Sequence, residues 1–159
     1  GNKMRELVQQ VLQNQWKQIG VEVVIKNVPA RTFFGETLKK QQFTALAQLA
    51  WSSLPEAPPT QTLATSAIPT AANNYAGANY PQFSHPGMDK LIEEVERELD
   101  PAKRKPLWFE MQKIYTDEVP VLPLYFRTDV YVVPKWLTGL LKPGQLPSNY
   151  YGQEAWGVR

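Results

Sequence analysis

Hydrophobic positions in the first third of the chain alternate between helical and strand spacing. Residues 4–19 repeat apolar side chains every three or four positions, which predicts an amphipathic helix that ends at a glycine. Residues 21–28, VEVVIKNV, alternate as a strand does. A second helix is expected over residues 32–40 with Thr32 as its cap, and residues 43–51 are an apolar run typical of a strand buried on both faces. This order predicts layered α/β packing.

The middle of the chain, residues 52–85, is rich in Pro, Thr, Ser, Asn, Ala and Gly. A loop of this length in a compact domain is either functional or disordered. Its aromatic side chains favour an ordered, functional loop with short helical turns. Two helices are expected next, over residues 88–99 and 101–118, the second with Asp100 as N-cap and a proline at its first position. Residues 119–126 hold two prolines, which predicts an edge or irregular strand.

Composition and charge narrow the classes of function. The 159 residues suit one domain, and a net charge of +2 gives no strong electrostatic footprint for nucleic acid. The absence of cysteine excludes disulfides, zinc–thiolate sites and thiol nucleophiles. The single histidine, His85, is expected at a helix entry, and no catalytic triad, phosphate-binding loop or dinucleotide fingerprint is found. We therefore predict no enzyme activity, no metal and no cofactor.

Trp51 ends the predicted buried strand and begins the long loop. Ligands of open α/β sheets bind outside the carboxyl ends of the strands, so Trp51 is a candidate contact residue. The alternative is a tryptophan that closes the core at the end of the strand. The candidates with amide or hydroxyl groups are Gln48, Ser52 and Ser53 beside Trp51 and Asn74, Tyr75 and Asn79 in the loop, where Asn73 and Tyr80 supply further groups of the same kind. An aromatic platform with neutral hydrogen-bonding groups is typical of a site for a polar ligand.

The order of these segments resembles the second lobe of the dipeptide/oligopeptide-binding family, the large periplasmic solute-binding proteins of ABC importers. The stretches that carry the resemblance are LQNQWKQIGVEVVI, ARTFFGETLKKQQFTALAQLAW and NNYAGANYPQFSHPGMDKLIEEVERELDPAKRKPLWFEMQKIYTDEVPVLPLYF. The resemblance implies an α/β fold in which residues 1–159 form one lobe of a two-lobed protein. It implies a mixed sheet flanked by helices and a long ligand-facing loop, with the opening strand and the partner lobe supplied from outside this chain.

The resemblance also implies a function. It predicts a periplasmic or membrane-anchored extracytoplasmic receptor that binds a peptide or similar polar solute between its lobes and delivers it to a membrane permease. In peptide-binding relatives an acidic residue three places after the tryptophan meets the peptide's amino terminus. Leu54 stands there in this chain, which makes it a further candidate residue and favours blocked or longer peptides over free dipeptides.

Three other functions remain open at the level of sequence. The same fold also serves receptors for oligosaccharides, and a sensor or interaction domain without a transport role would carry the same features. A hydrolase or transferase on an α/β scaffold would need a nucleophile paired with a base. One histidine and no cysteine offer little for such a pair.

Overall fold

The computed structural model describes residues 2–52, 57–126, 130, 132–139 and 156–158. The α-helices of the described chain, numbered α1 to α5, are Lys3–Lys17, Ala30–Thr32, Thr60–Leu63, Pro86–Arg97 and Pro101–Glu118. Helix α2 continues as a π-helical segment over Phe33–Leu38, and two 3-10 turns follow α3 at Thr65–Ala67 and Ala71–Asn73. Strand β1, Leu137–Thr138, pairs antiparallel with β2, Gly157–Val158. Helices with a small sheet are compatible with a fragment of an α/β fold.

The start and end of helix α1 follow from local chemistry. The side chain of Asn2 accepts a hydrogen bond from the backbone N–H of Arg5 at 3.2 Å, which satisfies one of the free donors of the first turn. Gly20 then takes a left-handed conformation with φ of 82°, as a residue just beyond a helix end commonly does. The helix predicted over residues 4–19 is therefore confirmed. None of its residues is buried, and Leu7 and Val11 are exposed.

Helices α4 and α5 begin at capping residues that the sequence predicted. His85 Nδ1 accepts a hydrogen bond from the backbone N–H of Met88 at 3.1 Å, which makes His85 the N-cap of α4. Asp100 Oδ1 accepts from the N–H of Ala102 at 2.9 Å, and Pro101 occupies the first position of α5. The start of α5 is confirmed, whereas α4 begins at Pro86, two residues before the expected start. His85 lies at a helix entry as expected.

The hydrophobic core lies where the long loop packs on α4 and α5. Its buried members are Leu63, Ala64, Ala67, Met88, Ile92, Val95 and Met111. The half-buried side chains packed around them are Phe83, Leu91, Leu107, Trp108, Ile114 and Tyr115. Full burial of an aliphatic side chain stabilises a fold by about 1.5–3 kcal/mol. Residues 57–85 are thus an ordered loop with short helical turns, as predicted.

Three predicted strands are not formed in the described chain. Residues 21–28, 43–51 and 119–126 belong to no sheet, so the expected mixed sheet is replaced by the short pair of β1 and β2. A strand is stabilised by hydrogen bonds to a neighbouring strand, and none of these segments has such a neighbour. The segment predicted to be buried on both faces is partly open, with Leu46 70% exposed.

The predicted cap of the second helix is also wrong. Helix α2 begins at Ala30 directly after Pro29, two residues earlier than expected. Thr32 therefore lies inside the helical segment and makes no capping hydrogen bond through its side chain. Pro29 holds the backbone in an extended conformation just before the helix. The proline, rather than the threonine, therefore marks where the helix begins.

Candidate functional site

Trp51 and Tyr80 form a stacked pair, called here the aromatic platform. Their ring centroids lie 5.6 Å apart and their planes differ by 22°. Trp51 is 48% exposed, whereas Tyr80 is only 8% exposed. The buried ring therefore supports the open one, and the indole offers apolar surface to solvent. Stacking of this kind contributes about 0.5–1.5 kcal/mol beyond the area buried.

Asn79 anchors the loop directly beside Tyr80. Its side chain is fully buried. The Nδ2 group donates to the carbonyl oxygens of Ala64 at 2.9 Å and Phe83 at 2.8 Å, and Oδ1 accepts from the Phe83 N–H at 3.0 Å. Its backbone N–H donates to the carbonyl oxygen of Ala67 at 3.1 Å. Both amide donors are engaged, so this candidate residue joins two parts of the loop beneath the aromatic platform.

Few charged side chains neighbour the aromatic platform along the sequence. Between Lys40 and Asp89 the sequence holds one charged side chain, Glu56, which lies outside the described residues. Burial raises the pKa of the Tyr80 hydroxyl above its usual value, because a buried site disfavours the phenolate. The platform is thus an uncharged surface at neutral pH.

The candidates next to Trp51 differ in how they are placed. Gln48 is half-buried, and its Oε1 atom is buried without a hydrogen-bond partner. Ser52 is exposed beside Trp51. Ser53 and Leu54 lie outside the described residues. An unpartnered buried carbonyl oxygen costs about 1–3 kcal/mol, so Gln48 Oε1 has unused capacity to accept a hydrogen bond.

Asn74 and Tyr75 lie on a tight turn further along the loop. Both take left-handed backbone conformations, with φ of 53° and 56°. The Tyr75 N–H donates to the carbonyl oxygen of Thr70 at 2.7 Å, which closes the turn. A hydrogen bond to Glu36 raises the pKa of Lys40, and Tyr75 adds a smaller electrostatic contribution.

A small neutral hollow of about 220 Å³ opens within the same loop. Its lining residues are Thr60, Gln61, Ser66, Ala67, Asn73, Ala76 and Gly77. Gly77 has φ of 91°, and a Cβ atom there would lie 2.1 Å from the carbonyl oxygen of Ala67. Only glycine fits this close approach of two backbones. Trp51 does not line the hollow, so the hollow and the aromatic platform are separate features of one loop.

Sequence reasoning identified Trp51, but it named Tyr80 only as a source of a hydroxyl group and not as the ring that supports Trp51. The signal for Tyr80 was its place among the few aromatic residues of the long loop. Within the described chain, no group of three or more His, Asp or Glu side chains is arranged to hold a metal ion. No described helix is both long enough and apolar enough to cross a membrane.

Most of the chain is similar to part of two peptide-binding proteins. It is 29% identical to the oligopeptide-binding protein OppA of Bacillus subtilis over 138 residues, which are 86% of this chain and 24% of that protein. It is 28% identical to di/tripeptide-binding protein 1 of Pseudomonas aeruginosa over 130 residues, which are 80% of this chain and 22% of that protein. No family model matches the chain, and no solved structure matches it significantly. The chain thus spans less than a quarter of the length of either relative.

Proposed function

We propose that this chain is one lobe of the extracytoplasmic solute-binding component of an ABC importer. It binds a peptide or a similar polar solute and does not catalyse a reaction. The observation that carries the proposal is the aromatic platform, in which a half-exposed Trp51 rests on a buried Tyr80. Both relatives are peptide-binding proteins, which supports the same class of function.

The part of the solute that meets the aromatic platform is uncharged. An ammonium group would lose its hydration on binding and would need a carboxylate to compensate. Stacking on Trp51 together with hydrogen bonds to neutral groups suits an amide or another neutral group. Gln48 accepts a donor through its unpartnered Oε1, while Ser52 and Ser53 supply hydroxyl groups. Leu54, three places after Trp51, provides no charge for a peptide amine.

The remaining candidates have supporting places in this proposal. Asn79 fixes the loop under Tyr80 through its buried amide group. Asn74 and Tyr75 lie on the turn at the rim of the loop and contact those parts of the solute that extend beyond the platform.

The proposal places the solute between this lobe and a partner lobe. Closure of the two lobes by a hinge motion buries the solute from both sides, as ligand sites require. The closed receptor then delivers the solute to the membrane permease of the importer. No nucleic acid, metal or cofactor takes part.

An oligosaccharide is the second candidate solute. The exposed indole face of Trp51 suits the apolar face of a sugar ring as well as a peptide side chain, and the surrounding side chains are neutral. Amide and hydroxyl groups bind the hydroxyls of sugars as readily as the backbone of a peptide.

The decisive experiment is mass spectrometry of the solutes that copurify with the two-lobed protein, followed by calorimetry. We expect N-acetyl-trialanine amide to bind more tightly than free trialanine.

The variant Leu54→Asp tests the role of charge at this position. It should bind the blocked peptide no more tightly than the wild type does, and it should bind free trialanine more tightly. Leu54→Asn is the matched control, because asparagine has the size and polarity of aspartate but carries no charge. Maltotriose as the better ligand would select the oligosaccharide, and tighter binding of free dialanine by the wild type would contradict the neutral site.

A further inference from the structure

We infer that Asp89 is the positioning residue of the aromatic platform, an inference that rests on the proposed function of that platform. Asp89 lies in the first turn of α4, and its carboxylate bonds Thr65 rather than Trp51 or Tyr80. It acts through the loop that carries Tyr80. Three successive contacts connect its carboxylate with the platform.

The first contact is a two-point clamp between Asp89 and Thr65. Oδ1 of Asp89 accepts a hydrogen bond from the backbone N–H of Thr65 at 2.8 Å, and Oδ2 accepts one from the Thr65 hydroxyl at 2.6 Å. Hydrogen bonds to an ionised carboxylate are shorter and stronger than neutral ones. The position of Asp89 in the first turn of α4 adds a favourable interaction with the helix dipole.

The second contact links the segment around Thr65 to Asn79. Thr65 lies between Ala64 and Ala67, and the carbonyl oxygens of those two alanines accept the hydrogen bonds of Asn79 at 2.9 and 3.1 Å. Ala64 and Ala67 are both buried. A shift of Thr65 therefore moves the two acceptors that hold Asn79.

The third contact joins Asn79 to Trp51 through Tyr80. Tyr80 follows Asn79 in the chain and stacks on Trp51. The backbone approach at Gly77 keeps this part of the loop pressed on Ala67, with no room for a side chain. The carboxylate of Asp89 thus sets the position of the ring on which Trp51 rests.

The test measures the position of Trp51 directly. The chain is labelled with 5-fluorotryptophan, and the Trp51 fluorine resonance is assigned by its loss in Trp51→Phe. Tyr80→Leu supplies the chemical shift of an unstacked Trp51. We expect Asp89→Ala and Thr65→Val to move the resonance toward that shift, whereas Thr65→Ser, which keeps the hydroxyl, leaves it in place. Glu93→Gln, a change at an exposed acid on the same helix, is the matched control.

Stability alone does not satisfy this test. If Thr65→Val and Asp89→Asn lower the unfolding midpoint but leave the Trp51 resonance unmoved, Asp89 is only a structural residue and the inference is overturned. Asp89→Asn keeps one acceptor and serves if Asp89→Ala does not fold. In the two-lobed protein, Asp89→Asn should weaken binding of N-acetyl-trialanine amide by up to about tenfold, because part of the binding free energy is then used to restore the position of Tyr80. Absence of any binding by the wild type would contradict the proposed function, while the resonance would still decide the role of Asp89.

Discussion

At the scale of single residues, Trp51 is half open to solvent and half supported by another ring. We expect Trp51→Ala in the two-lobed protein to weaken solute binding and to cost less unfolding free energy than the loss of a fully buried tryptophan, because half of the indole is already open to solvent. Calorimetry and urea unfolding measure the two effects. Trp136→Ala is the matched control, because Trp136 is 53% exposed. A stability loss of about 3–5 kcal/mol for Trp51→Ala would identify a core tryptophan instead.

Tyr80 makes stability sensitive to alkaline pH. Burial raises the pKa of its hydroxyl, so the folded state holds the proton more tightly than the unfolded chain does. This contribution is complete below the unfolded pKa of about 10 and is lost as the pH rises above it. We expect the unfolding free energy of Tyr80→Phe to fall less steeply than that of the wild type at alkaline pH.

Urea unfolding across that pH range measures the difference. Burial also raises the pKa of Tyr115, so Tyr115→Phe and the double variant separate the two hydroxyls. Identical pH slopes for the wild type and Tyr80→Phe would contradict the assignment to Tyr80.

At the scale of elements, the residue that caps the C-terminus of α5 takes a conformation that its side chain disfavours. Val119 has φ of 45° and ψ of 54°, a left-handed geometry that is costly for a β-branched side chain, while its N–H still bonds the Tyr115 carbonyl at 3.0 Å. We expect Val119→Gly to raise the unfolding free energy by about 0.5–1 kcal/mol, because relief of strain exceeds the added flexibility of the unfolded chain. Val119→Ala, which keeps a Cβ atom, is the control. A destabilised Val119→Gly would show that the valine packs usefully.

Local signals predicted the elements whose contacts are local. His85, Asp100 and the prolines after them mark the starts of α4 and α5 through hydrogen bonds that span three residues or fewer. The predicted strands failed because their hydrogen bonds depend on neighbouring strands, which alternation along the sequence does not supply. Helical spacing, in contrast, predicted α1 even though that helix buries none of its residues.

The candidate site was predictable only in part, for a similar reason. Trp51 stood out through its place before a proline-rich loop, although the strand that it was expected to end is not formed. Its stack with Tyr80 joins residues separated by the whole loop, so no local pattern indicates it. The buried role of Asn79 likewise depends on how the loop folds back on Ala64.

At the scale of the whole molecule, much apolar surface is open. Leu7 and Val11 on α1 and Phe126 after α5 are all exposed. Under the proposed function, half of the solute site belongs to the partner lobe. We expect calorimetry on this chain alone to find binding of N-acetyl-trialanine amide no tighter than about 1 mM, or about −4 kcal/mol. Micromolar binding by the chain alone would contradict the two-lobed proposal.

The stretch between Lys40 and Asp89 holds one charged side chain, Glu56, and this low charge bears on how solute binding would depend on ionic strength. At 0.1 M salt, mobile ions largely screen the interaction between exposed charges that lie more than about 10 Å apart. They have little effect on aromatic stacking and on hydrogen bonds between neutral groups. Under the proposed function, we expect solute binding to change little between dilute and saline solutions. The exposed ion pairs on α4, such as Lys90 with Glu94, lose strength over the same range of salt.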